Sequence, residues 1–388
     1  MRNIKLLNPV SPVWNEVISE NEYNLSPEAA EPEAIIVRSA DMHSYTLEDS
    51  VWAVARAGVG VNNIPLDEYA QKGVVVFNTP GANANAVKEL VLAGLLMAGR
   101  DIAGGIEWVK TLADKGDEVE KLVEKGKKAF VGCEIKNKTL GVIGLGAIGL
   151  QVANAAAALG MNVLGYDPYI SVENAWKLSR AVKQAKSQDE IVENADFITI
   201  HVPLIDATKG TLNAAMFAKM KKGAAILNFA RGELAVIDDV IAALESGQIS
   251  RYVTDFPTAK LIGVKNVVLV PHLGASTPES EDNCVRMAAK QLDDYLNDGI
   301  IVNSVNFPAA DPGKRTSPRI IVLHANVPNV VSSVTSRVSA RNINISNMLN
   351  KSRGVHAVTI LDLDGDPTDA LINEIEALET VYNVRVLE

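Results

Sequence analysis

The chain has 388 residues, enough for two or three domains and a large buried core, and no run in it, residues 90–98 included, is apolar for long enough to span a bilayer. Asp and Glu outnumber Lys and Arg by 47 to 37, and the resulting formal net charge of −10 argues against a nucleic-acid-binding surface. The two cysteines, Cys133 and Cys284, are far apart in no metal-ligand pattern and are expected as small buried apolar residues, and with no signal-peptide hydrophobic region at its start the chain is expected to be cytoplasmic, with no metal, membrane or nucleic-acid partner.

In chain order, the first region alternates short apolar runs with polar helical stretches. Residues 34–37 and 73–77 are apolar throughout, as in parallel strands covered on both faces. Each ends in polar residues, Arg38-Ser39 and Asn78-Thr79, where ligands of open α/β sheets bind. Residues 110–128 are densely charged at helical spacing and are expected as a solvated helix or an oligomer arm. Residues 139–149 then read as a buried strand, a glycine turn and a helix start. Gly144, Gly146 and Gly149 fit G-x-G-x-x-G, the turn that brings a dinucleotide pyrophosphate to a helix N-terminus. An alanine-rich helix over 151–159 stops at Gly160, and a strand over 162–166 delivers Asp167, 23 positions after Gly144. A carboxylate there binds the ribose 2′-hydroxyl of NAD and repels the 2′-phosphate of NADP. With no Arg or Lys beside it in sequence, NAD is the expected cofactor.

Further strands are predicted over 197–201, 224–228 and 266–270, and the alternation with helical runs indicates a doubly wound parallel sheet. A helix over 278–296 opens on a capping signature, Ser276 with Glu279, and could return the chain to the first region. After a proline-bearing stretch the order is strand (319–323), helix (330–340), strand (344–349), strand (355–363), helix (367–378) and strand (381–387). This βαββαβ order is ferredoxin-like. The expected fold class is therefore α/β, with two doubly wound parallel-sheet domains and a C-terminal ferredoxin-like module. The divisions are a discontinuous substrate-binding domain (1–99 and 275–306), an NAD-binding Rossmann-type domain (100–274), a linker (307–318) and a small module (319–388).

Three strand ends carry candidate chemistry. Arg231 follows the strand over 224–228, where a guanidinium can clamp a carboxylate and polarise a carbonyl, or serve as a surface ion-pair partner. Asp255 closes another strand and could face the nicotinamide ribose or amide. His272, one of five histidines, stands at a strand-to-helix turn, where it could take a hydroxyl proton while hydride leaves the same carbon, or be a satisfied structural histidine.

The order and spacing of Val37-Arg38-Ser39, Gly58-Val59-Gly60-Val61-Asn62-Asn63-Ile64, Asn78-Thr79-Pro80-Gly81, Gly144 to Gly149, His201-Val202-Pro203, Ala230-Arg231-Gly232 and Pro271-His272-Leu273-Gly274-Ala275-Ser276-Thr277 resemble the D-isomer-specific 2-hydroxyacid dehydrogenase family. Within it, the branch acting on D-3-phosphoglycerate with a C-terminal ACT-type regulatory domain is the nearest in pattern. The resemblance implies NAD-dependent oxidation of a phosphorylated 2-hydroxy acid in a homo-oligomer, a dimer or tetramer. Another small 2-hydroxy acid pair such as glycerate and hydroxypyruvate, or a non-catalytic NAD(H)-sensing corepressor, remains open. The resemblance also implies that Arg231 binds the substrate carboxylate and reacting oxygen and that His272 is the general acid/base. Gly144, Gly146, Ala147, Ile148, Gly149, Asp167, His201, Val202, Pro203, Phe229, Ala230, Arg231, Asp255, His272, Gly274 and Ala275 match cofactor contacts. Arg38, Ser39, Gly60 and Asn78 match substrate-side loops.

One departure concerns the proton chemistry. The family pattern has a Glu about five residues after Asp255, paired with the histidine, whereas this chain reads Asp255-Phe256-Pro257-Thr258-Ala259-Lys260. Without that partner His272 should be less basic. Lys260 is expected either as a cation taking part in acid/base work or substrate orientation, or as a solvated loop residue. In the C-terminal module, His324-Ala325-Asn326-Val327-Pro328-Asn329 resembles the effector loop H-x-N-x-P-G of serine-binding ACT domains, with Asn344 a further contact. L-serine is then the expected effector. Asn329 replaces the Gly, and Asn tolerates the positive φ such a turn requires.

Overall fold

The computed structural model describes all residues, Met1–Glu388, and divides into two compact units, Met1–Ala82 with Glu281–Glu388, and Asn83–Ser280.

The first unit contains a five-stranded parallel sheet in the order Tyr23–Ser26, Arg2–Leu6, Ala34–Val37, Ala53–Arg56, Val75–Phe77. Its central strand shows why an unbroken apolar run forms here. Ala34 and Ile36 enter one core cluster, Ile35 and Val37 the other, so both faces are covered. The long helix Pro278–Asp298 packs on one face through Cys284, Val285, Ala288, Ala289, Leu292, Tyr295 and Leu296, a spacing of three and four. Its cap differs from the expectation. Thr277 Oγ1 accepts the Ser280 N–H at 3.1 Å with Pro278 between, so Thr277 rather than Ser276 is the capping residue.

The same unit holds the C-terminal module, an antiparallel sheet in the order Ile345–Arg353, His356–Leu363, Arg319–Ala325, Val381–Leu387, with helices Val330–Ala340 and Asp369–Glu376. This is the ferredoxin-like arrangement. One sheet face, with Ile320, Val322, Leu361 and Val384, meets Val334, Val338, Leu371 and Ile375 of the helices. The other, with Ile321, Leu323, Val358, Ile360 and Leu387, shares a core cluster with Leu292, Tyr295, Leu296, Ile301 and Phe307. Two buried arginines tie that seam. Arg319 grips Asp362 (2.5 and 3.1 Å) and donates to the Asp298 and Gly313 carbonyls. Arg385 lies 4.5 Å from the Trp52 ring centroid and donates to Leu296 O at 3.1 Å. Part of the stretch read as a linker is thus interior: Phe307 is fully buried, and Ala310 pairs with Ile301.

The second unit is a seven-stranded parallel sheet in the order Val267–Leu269, Ile249–Thr254, Ala224–Asn228, Phe197–Ile200, Thr139–Ile143, Asn162–Tyr166, Val182–Gln184. Strand order reverses at Thr139–Ile143, the switch point of a doubly wound fold. The helix Ala84–Gly99, which sequence reasoning assigned to the first region, belongs to this unit. Its stripe Val87, Val91, Leu95, Ala98 is buried among Leu140, Val142, Phe229 and Val253. The charged stretch 110–128 is not one helix: Ile102–Lys110 and Val119–Gly126 are separated by a 3-10 turn containing Gly116 at φ 47°. Cys284 is buried as expected, but Cys133 is exposed, because it lies outside any strand or helix with only its N–H tied, to Gly99 O.

Candidate active site

In the second unit the parallel sheet aligns seven strand C-termini, and a polar or glycine-bearing segment follows each. At the switch point Gly144 has φ +91°, and a Cβ there would come 2.6 Å from His201 O. A Cβ on Gly149 would lie 1.9 Å from Gly144 O, so the helix Ala147–Ala158 can approach the strand this closely only with glycine. A Cβ on Gly146 would meet nothing within 4 Å. That leaves open space before the free N–H groups of Ala147 and Ile148, a cradle that fits a pyrophosphate. Asp167 is held at the next strand end, its Oδ2 accepting the Leu145 N–H at 2.9 Å and its Oδ1 the Tyr169 N–H at 2.8 Å. It borders a cavity of about 460 Å³ that Lys183 and Lys186 also line, two cations that spacing along the chain did not bring near it. His201 and Val202 flank the glycine turn. His201 Nε2 meets Thr199 Oγ1 at 2.9 Å, Nδ1 is buried without a partner, and burial pushes the imidazole pKa down to about 4, keeping it neutral. Pro203 is exposed beyond them.

A second group forms at the neighbouring strand ends. Asn228 is fully buried, and its side chain folds the following loop: Oδ1 accepts the Ala230 N–H at 3.2 Å, and Nδ2 donates to Arg231 O at 2.8 Å. Phe229 anchors the loop inward, and the exposed Arg231 guanidinium donates to Ala230 O at 2.7 Å. Asn228 is a site residue that sequence reasoning missed. Its signal was a buried polar residue closing an otherwise apolar strand. Asp255 is 1 % exposed, and its Oδ1 has no partner. Burial raises its pKa, opposed by His272, by the N–H groups of Asp255 and Gly274, and by Arg231. Gly274 packs against it, a Cβ there falling 3.5 Å from Asp255 Oδ2, and Ala275 follows. His272 is exposed, with its ring against Phe256 at 4.9 Å between centroids and 60° between planes. Arg231, Asp255, His272 and Gly274 are therefore brought together. Lys260 is not in this group. It is exposed, with its Nζ held by Asp238 at 2.7 and 2.9 Å.

In the first unit, Asn8 Oδ1 accepts the N–H groups of Arg38, Ser39 and Ala40 at 2.9–3.1 Å, fixing that loop at its strand end. Arg38 is paired with Glu281 at 2.5 Å. Asn78 Nδ2 donates to Val59 O at 2.8 Å, which supports the turn around Gly60. Arg56, not singled out from sequence, ends the adjacent strand with its guanidinium lying over Gly58. Its Nε is buried and unpartnered, and burial and the nearby Arg38 lower its pKa against the opposing influence of Cys284. In the C-terminal module His324 is buried, its Nδ1–H donating to Ala325 O and its Nε2 meeting Thr359 Oγ1, both at 2.8 Å. Asn326 donates to Gly354 O and Asn344 to Asp364, so the three effector candidates are engaged with separate partners. Asn329 adopts φ 70°, the left-handed conformation its turn requires.

Residues 93–274 match the NAD-binding domain of the D-isomer-specific 2-hydroxyacid dehydrogenases. Over 357 residues the chain is 32 % identical to D-3-phosphoglycerate dehydrogenase 1 of Saccharomyces cerevisiae, a match covering 85 % of this chain and 72 % of the yeast protein. The D-3-phosphoglycerate dehydrogenase of Haemophilus influenzae is 30 % identical, with 85 % and 79 % covered. The chain belongs to the D-isomer-specific 2-hydroxyacid dehydrogenases. Among solved structures, NAD+-bound 3-phosphoglycerate dehydrogenase of Entamoeba histolytica aligns with a TM-score of 0.59 at 26 % identity, over 79 % of this chain and 98 % of that one. This dehydrogenase thus uses NAD, and the glycine cradle of its second unit fits the cofactor's pyrophosphate. No helix in it is long and apolar enough to cross a membrane.

Proposed function

We propose that this dehydrogenase oxidises D-3-phosphoglycerate to 3-phosphohydroxypyruvate, the first step of L-serine formation. The observation that carries this reading is the grouping of Arg231, Asp255 and His272 at strand ends of the sheet that also bears the glycine cradle. Arg231 clamps the substrate carboxylate and polarises the reacting oxygen. His272 accepts the hydroxyl proton as the alcohol becomes a ketone. NAD held at the glycine cradle would supply the hydride acceptor for the same carbon. Asp255 keeps negative charge opposite the imidazolium that forms, and Lys260, committed to Asp238, stays outside the proton step. The phosphate is received by the loops of Arg38, Ser39, Gly60 and Asn78. Arg56 supplies a guanidinium that has no carboxylate partner. In this reading the substrate-binding domain is discontinuous, residues 1–82 with 281–306, and 319–388 is an ACT-type module that binds L-serine through His324, Asn326 and Asn344 in a cytoplasmic homo-oligomer.

The test is NADH formation with D-3-phosphoglycerate, D-glycerate and D-lactate, each with NAD and NADP. Turnover is expected to be best with the phosphorylated acid and NAD. Turnover of glycerate alone would move the substrate assignment. Absence of turnover with all three would overturn the enzymatic reading in favour of an NAD(H) sensor. A serine titration with N326A as control reads the effector assignment. An inhibition that survives N326A unchanged would remove Asn326 from it.

A further inference from the structure

We propose that Phe256 is a positioning residue for His272, setting the orientation of an imidazole that has no hydrogen-bonding partner of its own. The inference rests on the acid/base reading of His272.

An imidazole that accepts a proton must hold one ring nitrogen toward the substrate, and a ring free to rotate loses most of that alignment. His272 is exposed, and neither ring nitrogen makes a hydrogen bond within the chain. The Phe256 ring lies against it, 4.9 Å between centroids and tilted by 60°. Rotation of the imidazole about its Cβ–Cγ bond is limited by that contact. Phe256 is itself held. Its N–H donates to Thr254 Oγ1 at 3.1 Å, and Pro257 stiffens the chain after it. Its Cβ packs over Gly232, where a side chain would come within 3.3 Å. Gly232 directly follows Arg231, so one aromatic ring braces both the loop that presents the guanidinium and the histidine.

F256L, F256M and F256Y are prepared in the full chain, with H272Q as reference. The His272 ring resonances, assigned by their loss in H272Q, are recorded by NMR without substrate, and kcat and KM for D-3-phosphoglycerate are measured. F256L and F256M are expected to lower kcat about tenfold with KM changed less than threefold, and to abolish the ring-current displacement of the His272 resonances. F256Y is expected to restore both. Wild-type kcat with unmoved His272 resonances in F256L or F256M would overturn the proposal, as would a kcat loss that F256Y fails to restore. If H272Q keeps full activity, it is the acid/base reading that fails, and the resonances still report whether Phe256 holds the ring.

Discussion

The seam between the C-terminal module and the five-stranded sheet makes a quantitative demand on how the first unit unfolds. Leu323 is 2 % exposed and lies on the sheet face that shares a cluster with Leu292, Tyr295, Ile301 and Phe307. Leu323→Ala removes three carbons from that seam. Truncations of this kind cost about 2–5 kcal/mol, depending on how far the site collapses. The neighbours here belong to a parallel-sheet layer on one side and an antiparallel sheet on the other, both fully packed, so collapse is limited and about 3 kcal/mol is expected. For a unit of this size each kcal/mol lowers Tm by about 2–4 °C, giving a fall of about 6–12 °C. The decisive measurement is where protection from hydrogen exchange is lost. A shared core requires that amides of Ala34–Val37 and Val75–Phe77 lose protection together with those of Arg319–Ala325 in mild denaturant. If the variant's module amides exchange faster while those of the five-stranded sheet keep their wild-type rates, the module unfolds alone. The cooperative seam would then be refuted.

Three further outcomes follow from the second unit. Gly149→Ala places a Cβ 1.9 Å from Gly144 O, so the helix must back away at a cost of about 1–3 kcal/mol, and NAD titration should show at least tenfold weaker binding; unchanged affinity would contradict the cradle. Asp167→Asn removes the charge and keeps one acceptor oxygen, so one of the Leu145 and Tyr169 N–H groups loses its side-chain partner. The NAD-over-NADP ratio of kcat/KM should fall about tenfold or more, aided by Lys183 and Lys186 beside it, and a ratio that stays constant would remove Asp167 from cofactor selection. His201 has a folded pKa pushed down to about 4, so between pH 6.5 and 4 the unfolded chain binds the extra proton. Stability is therefore full above pH 6.5 and is lost as pH falls, by about 3 kcal/mol from this group. His201→Gln should flatten that part of the urea-midpoint profile, and an equal slope in both proteins would refute the assignment.

How much of this was legible in sequence depended on whether the signal was local. The glycine turn, the unbroken apolar runs and the βαββαβ order are local patterns, and each gave an element close to its final bounds. What the pattern could not show is which partner covers a given face. The stripe Val87, Val91, Leu95, Ala98 is plain in sequence, but nothing in it names Phe229 and Val253 as its cover, and the helix was placed in the wrong unit. The same holds for Arg319–Ala325. Residues 320–323 are apolar without alternation, the mark of a strand covered on both faces. Reading the preceding residues as a linker treated the module as standing alone, with one face in water. The buried Phe307 and the shared seam are what that unbroken run required.

The candidate site shows the same division between residue type and neighbourhood. Asp167, His201, Asn228, Asp255 and His272 each follow or close an apolar run, so their positions at strand ends could be read one by one. Their grouping depends on strand order, which local sequence does not encode. The order observed places the strand ending at Asn228 beside the one ending at Thr254, and so sets the Arg231 loop next to Asp255 and within reach of the His272 turn. Lys260 illustrates the converse. It was selected because it stands in sequence where a carboxylate was expected, but the chain turns outward after Phe256 and delivers it to Asp238. Distance along the chain was a poor guide there, whereas the residue directly after the buried Asp255 had little freedom to go elsewhere. Its ring is the group that meets His272.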